Sequence, residues 1–191
     1  MIVALALGLA LLIQAFLIKP YQIPSGSMEP TLDIKQRILV NRFIYHLTTP
    51  EAGDMVVFHP PVGADDGALR ACAVDRKPLQ PCPQALPDKS KDTFVKRIVA
   101  GPGDTVAVKE GIPIVNGVPE PPDGYEITPC NVGGSGCDLP EAITVPEGHY
   151  FMMGDNRGSS FDSRFWGPLP EDWLIGKSFA TYWPPNRIGG L

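Results

Sequence analysis

A mainly antiparallel β domain behind an N-terminal transmembrane helix is the fold class that this 191-residue sequence predicts. Three observations carry that expectation. The chain holds 20 Gly and 22 Pro, which implies many turns between short segments and disfavours helix-rich architectures. The segments between the turns are short β-branched and aromatic runs such as "MVVF" and "FVKRIV", the composition of strands. The exception is Met1 to Ile18, an apolar run that only Gln14 breaks and Lys19-Pro20 ends. At about 1.5 Å per residue a helix of that length approaches the ~30 Å hydrocarbon core of a bilayer.

Residues 1–19 are therefore expected to be a retained membrane anchor. A cleaved signal would have a basic region before the apolar run and a pair of small residues after it; no Lys or Arg precedes the run here, and "LIKPYQIP" offers no pair of small residues. The next stretch, "PSGSMEPTL", has Pro24 and Pro30 restricting φ on both sides of two serines, with Gly26 expected to supply backbone angles the serines would resist. A rigid, kinked loop results, able to hold a hydroxyl in one place. "QRILVNRFIYHL" reads as a strand followed by a turn, and "GDMVVFHPP" as a Gly-Asp turn, a strand and a double-proline stop.

Residues 62–92 are polar and Pro-rich and form an irregular excursion that carries Cys72 and Cys82. "TFVKRIVAGPGDTVAV" reads as a hairpin around a "GPGD" turn. "IPIVNGVPE" holds an Asn-Gly turn, and residues 107–148 make a small inserted β lobe with Cys130 and Cys137. "GHYFMMGDNRGSSFDSRFWGPLP" is a strand entering a long loop, and "LIGKSFATYW" is a closing strand. The catalytic β domain is thus expected to comprise residues 20–106 and 149–191. Neither Cys pair has the CxxC spacing of a zinc or redox site. Pairing the cysteines nearest in sequence predicts disulfides Cys72–Cys82 and Cys130–Cys137, which belong in an oxidising compartment outside the inner membrane.

Hydrophobic residues at 43% and charged residues at 19% fit a globular chain, and the net charge of −5 excludes a protein that tracks nucleic-acid phosphates. No HExxH motif or Gly-rich phosphate loop is present, so neither metal nor cofactor is expected. Three histidines, His46, His59 and His149, leave a Ser/His/Asp arrangement formally open, although His59 precedes two prolines and His149 leads a strand.

A lysine can replace histidine as the base if its amine is neutral. Period-two alternation in "TFVKRIV" groups Phe94, Lys96 and Ile98 on one face and Val95, Arg97 and Val99 on the other. Pattern alone does not choose between Lys96 and Arg97. Chemistry does, because an amine among apolar groups loses its proton far more readily than a guanidinium.

Taken together, "PSGSMEPTL", "GDMVVF", "FVKRIVAGPGD" and "GDNRGSSFDSRFWG", in that order behind an apolar anchor, resemble the membrane-bound type I signal (leader) peptidases. The resemblance implies that Ser27 is the nucleophile and Lys96 its general base. It also implies that the Ser25 hydroxyl and the Ser27 N–H form an oxyanion hole, and that Ser160 orients Lys96. Asp162 and Arg164 would be a supporting charged pair, while Asp155, Asn156 and Arg157 hold their loop. Gln22, Ile23 and Pro24 on one side and Phe94 and Val95 on the other would receive an extended peptide. Ile23, Leu32, Phe94 and Val95 would shape two shallow pockets for small residues. The implied substrates are exported preproteins cut after small-x-small sites. The bilayer and the protein-export translocase are the implied partners. The implied location is a bacterial inner membrane, crossed once, with the catalytic domain on its outer side. Two rivals differ in class: a Ser/Lys protease acting on itself or one dedicated partner, and an anchored module that only binds.

Overall fold

The computed structural model describes residues 2, 5, 8, 17–64, 72–77, 79–120, 125–130, 134 and 136–191. Two antiparallel sheets organise them. The larger has the order β1-β2-β11-β3-β4-β9-β10, with β12 also pairing with β11. Its strands are β1 (Ile18–Gln22), β2 (Arg37–Asn41), β3 (Met55–Phe58), β4 (Phe94–Ala100), β9 (His149–Met153), β10 (Leu169–Pro170), β11 (Leu174–Trp183) and β12 (Gly189–Gly190). The smaller sheet has the order β7-β6-β5-β8, from β5 (Thr105–Lys109), β6 (Ile112–Val115), β7 (Val118–Pro119) and β8 (Leu139–Thr144).

The central strands of the larger sheet are apolar on both faces, so both faces are covered. On β3, Val56 and Phe58 join Ile98, Met152 and Trp166 in one core. Met55 and Val57 face the other way, into a second core with Ile23, Met28, Leu32, Ile38 and Val40. On β9 the same alternation sends Phe151 and Met153 into a third core with Val106, Val108 and Ile143 of the smaller sheet. That third core is what couples the sheets.

The expected "GPGD" hairpin does not form. The turn exists, held by the Gly101 N–H donating to the Asp104 carboxylate at 2.9 Å, but β4 pairs with β3 and β9 whereas β5 pairs with β6 and β8. Arg97 through Ala100 are buried, so β4 is an interior strand with both edges already occupied. The turn carries the chain into the next sheet. By contrast, the Asn-Gly signal does join paired strands. Asn116 and Gly117 have φ of 52° and 80°, the left-handed pair that a two-residue hairpin needs, and Val115 lies opposite Val118.

The closing strand β11 is inserted between β2 and β3. In the long loop after β9, a short helix α1 (Ser163–Trp166) appears where continuous loop was expected, started by the Asp162 carboxylate accepting the Arg164 N–H. Most of the expected anchor lies outside the described residues. Its last two positions, Ile18 and Lys19, belong to β1, where they pair with Asn41 and Val40. Among the described residues no helix is long and apolar enough to cross a membrane. Both expected disulfides, Cys72–Cys82 and Cys130–Cys137, are present.

Candidate active site

The serine loop begins where β1 ends. Ile23 and Met28 are 2% and 1% exposed, so the ends of the loop are pinned into the core while Ser25 stays at the surface. Between them Gly26–Met28 form a single 3-10 turn. Gly26 does not use the left-handed region that was expected of it. A Cβ there would first meet the Glu29 carboxylate, the end of a flexible side chain that can swing aside. The closing loop clasps the turn from outside: Asn156 donates its backbone N–H to the Ser27 carbonyl at 3.1 Å and its side-chain amide to the Gly26 carbonyl at 3.0 Å.

Lys96 reaches this turn from the middle of β4. Its Nζ lies 2.5 Å from Ser27 Oγ, and the residue is 3% exposed. Phe94 lies alongside, its ring centroid 5.7 Å from the amine. Burial pulls the Lys96 amine down to about 8 from its ordinary value of 10.5, with Arg164 assisting and Asp162 and Asp155 opposing. Each of the two opposing carboxylates has its own cation. Asp155 is gripped by Arg97 through bonds of 2.9 and 2.7 Å. Asp162 is gripped by Arg164 at 2.8 and 2.9 Å. Burial pushes the Asp162 carboxyl up, but the Arg164 guanidinium and the Gly154 N–H outweigh it and hold the group below its usual range.

Ser25 and Ser160 stand close to the pair in different ways. Ser25 Oγ lies 3.4 Å from Ser27 Oγ, so its hydroxyl is directed toward the nucleophile. Ser160 is buried, yet its Oγ makes no hydrogen bond of good geometry. The expected Ser160–Lys96 bond is therefore not formed, and the polar influence of Ser160 falls on Asp162, whose ionised form it favours. Arg157 donates to the Gly111 carbonyl and the Glu120 carboxylate, each at 2.8 Å, tying the closing loop to the smaller sheet. Neither His59 nor His149 touches the serine. Their Nδ1 atoms engage the carbonyls of Asp92 and Glu147 at 2.9 and 2.8 Å.

A cavity of about 360 Å³ opens onto Ser27 and Lys96, lined by Ile23, Pro24, Phe94 and Val95 as expected. Two expected wall residues are absent from it. Leu32 is fully buried beneath the serine loop, among Ile23, Met28 and Ile38, because the chain turns inward after Pro30. Gln22 is exposed on the edge strand β1. The walls also include Met28, Ala64, Thr93, Ser159 and Phe161, which the sequence reading had not singled out.

Two further contributors were missed. Arg97 sits at 6% exposure on a face of valines, and a guanidinium so buried signals an undiscovered carboxylate partner. Gly154 follows β9 directly, and a Cβ there would overlap both Ser160 Oγ and the Ser27 carbonyl oxygen. The Ser27 carbonyl is backbone and cannot swing aside. Gly154→Ala is therefore expected to destabilise the fold by about 1–3 kcal/mol and to lower kcat about 100-fold through the displaced serine. Equal kcat in the two proteins, measured on a preprotein at saturating concentration, would contradict this.

The family profile described as signal peptidase, peptidase S26, matches residues 1–183. A signal peptidase I of Leptolyngbya laminosa is 35% identical over 189 residues, covering 99% of this chain and 80% of that protein. A probable signal peptidase I-2 of Synechocystis is 35% identical, covering 97% and 72%. A probable thylakoidal processing peptidase 2 of Arabidopsis thaliana is 36% identical over 187 residues, but this chain spans only 44% of its length. A buried, low-pKa lysine against a loop serine and a profile match over nearly the whole length agree: the chain belongs to the signal peptidases of family S26, serine peptidases that remove signal peptides.

Proposed function

We propose that Ser27 and Lys96 form the catalytic dyad with which this peptidase cuts exported preproteins after small-x-small sites. The observation that carries the reading is the 2.5 Å approach of Nζ to Oγ at a lysine whose burial brings its pKa to about 8. A neutral amine accepts the Ser27 proton as Oγ bonds to the scissile carbonyl carbon, and the carbonyl oxygen becomes an oxyanion. The Ser25 hydroxyl rotates from Ser27 Oγ to donate to that oxygen, beside the Ser27 N–H; such a donor contributes about 3 kcal/mol at a developing charge. The Lys96 ammonium next protonates the leaving amine of the mature protein. The signal peptide is left as an ester on Ser27. Neutral again, Lys96 takes a proton from water as the hydroxyl attacks the ester, and returns it to Oγ when the acid departs. Arg164 favours the neutral Lys96 amine and neutralises Asp162, beside which Ser160 lies, and Asp155, Asn156 and Arg157 hold the loop around the serine.

An extended substrate adds alongside Ile23 and Pro24 on one side and Phe94 and Val95 on the other. The cavity walls favour alanine-sized side chains at alternate positions, because Ile23, Met28, Phe94 and Phe161 already occupy the space a larger one would need. The apolar run that precedes β1, as a membrane anchor, keeps the domain at the membrane, where the translocase delivers preproteins. Two disulfides support placement on the outer, oxidising side of a bacterial inner membrane.

The pH profile of kcat/KM tests the dyad. Only the neutral amine acts as a base, so activity falls as pH drops through the Lys96 pKa, with an acid limb near 8 and about one-tenth of the plateau left at pH 7. The limb is expected to persist in His59→Ala and His149→Ala. Its loss in either variant would transfer the base to that histidine.

A further inference from the structure

The excursion that carries the smaller sheet sends one segment, residues 125–130, back across the catalytic loops. Thr128 donates its N–H to the Asp155 carbonyl and accepts the Arg157 N–H, each at 2.9 Å, so the segment lies parallel to Asn156 like an added strand. On its other side the Thr128 hydroxyl donates to the Glu29 carbonyl at 3.3 Å, two residues beyond the nucleophile. At one end Cys130 is tied to Cys137. At the other, the Tyr125 ring lies over Arg97, its centroid 3.7 Å from the guanidinium carbon, and the Tyr125 hydroxyl bonds to Glu120. None of these contacts reaches a reacting atom. Those of Thr128 and the Tyr125 ring reach groups that hold one.

We propose that residues 125–130 are a positioning strap for the Ser27–Lys96 pair, with Tyr125 holding Arg97 on Asp155 and Thr128 locking the closing loop to the serine loop. Arg97 follows Lys96 in β4 but faces the opposite way. Its bidentate grip neutralises Asp155, one of the two carboxylates that oppose deprotonation of Lys96. The tyrosine face both attracts the guanidinium and shields it from water, which keeps the grip closed. If Arg97 swings out, the Asp155 charge favours ammonium at Lys96. The loop that carries Asn156 also loses an anchor. The remaining charged groups facing Lys96 are Asp162 and Arg164, which pair with each other; the strap reaches them at its far end, where Cys130 Sγ accepts from Arg164 Nη1 at 3.7 Å, five residues from Tyr125. Beside Arg97 and Asp155 the other charges are Glu120 and Arg157, also mutually paired.

This inference rests on the Ser27–Lys96 reading, and the test separates the two. In the full chain, kcat/KM for a synthetic signal peptide is measured from pH 6 to 10.5 for wild type, Tyr125→Phe, Tyr125→Ala and Tyr125→Leu. Phenylalanine keeps the ring face and is expected to keep the wild-type acid limb. The alanine and leucine variants are expected to move the limb toward alkaline pH, lowering kcat/KM at pH 7 about three- to tenfold, with the loss in kcat and the deficit narrowing near pH 10. Leucine fills the space without a ring face, so it decides the matter if the alanine variant does not fold. A wild-type limb in the leucine variant overturns the strap, whatever its activity. Full activity in Lys96→Met would overturn the dyad itself, and the strap's role with it.

Discussion

Ser27→Ala and Lys96→Met are each expected to reduce kcat/KM for a preprotein by about 10⁴-fold or more, because nucleophile and base act as one unit. The double variant is expected to be no worse than either single one. The substitutions should differ in stability. Ser27 is only partly buried, so its loss of one hydroxyl costs little. Lys96 is held near 8 in the folded chain against 10.5 when free, so the folded state binds fewer protons than the unfolded one between those values. That penalty is fully present below pH 8 and disappears as pH rises through 10.5. Replacing the amine with an apolar side chain of similar length removes it, for a gain of about 3 kcal/mol at pH 7 that shrinks toward pH 10.5. Urea unfolding at pH 7 and pH 10 measures the difference. Turnover by Lys96→Met within about tenfold of wild type, or a stability gain independent of pH, would defeat the assignment.

Arg164→Met should cause the largest loss of stability. Arg164 is fully buried, bonded to both Asp162 oxygens and to the carbonyls of Arg157, Ser160 and Gly136. Its own carbonyl accepts from the Cys82 N–H and from Arg76 at 3.1 and 3.0 Å, so both disulfide-bearing segments converge on it. Removing the cation strands a buried carboxylate, at a cost of about 3–5 kcal/mol, which lowers Tm by about 10 °C in a chain of this size. What remains folded is expected to show an acid limb displaced toward alkaline pH, since Arg164 favours the neutral amine and the bare Asp162 opposes it. Asp162→Asn in the same chain should recover much of both losses by removing the stranded charge. A Tm unchanged in Arg164→Met, followed by calorimetry, would show that the pair is not what the interior is built around.

What was legible in the sequence was whatever depends on near neighbours in the chain. The strands at Met55–Phe58, Phe94–Ala100, His149–Met153 and Leu174–Trp183 stood out as short apolar runs between turn residues. The Cys pairs, seven and ten residues apart, were short loops to close. Lys96 emerged from alternation and from the chemistry of amines, with the resemblance supplying Ser27 as its partner. The missed features depend on distant residues. "GPGD" reads as a hairpin turn wherever it occurs, and only the occupied edges of β4 sent β5 to another sheet. Leu32 and Ile23 have the same apolar character, but one lies under the serine loop and the other lines the cavity.

By itself, then, the sequence determined the strand-rich class, the cysteine pairings and the residue types able to act as nucleophile and base. Periodicity, turn chemistry and intrinsic acidity are properties of a few consecutive residues. The tertiary structure alone decided that Arg97 and Arg164 neutralise the two carboxylates around Lys96, that Gly154 must lack a side chain, and that Tyr125 lies over Arg97. Burial and charge compensation are sums over groups brought together from the whole chain, and no local pattern encodes such a sum.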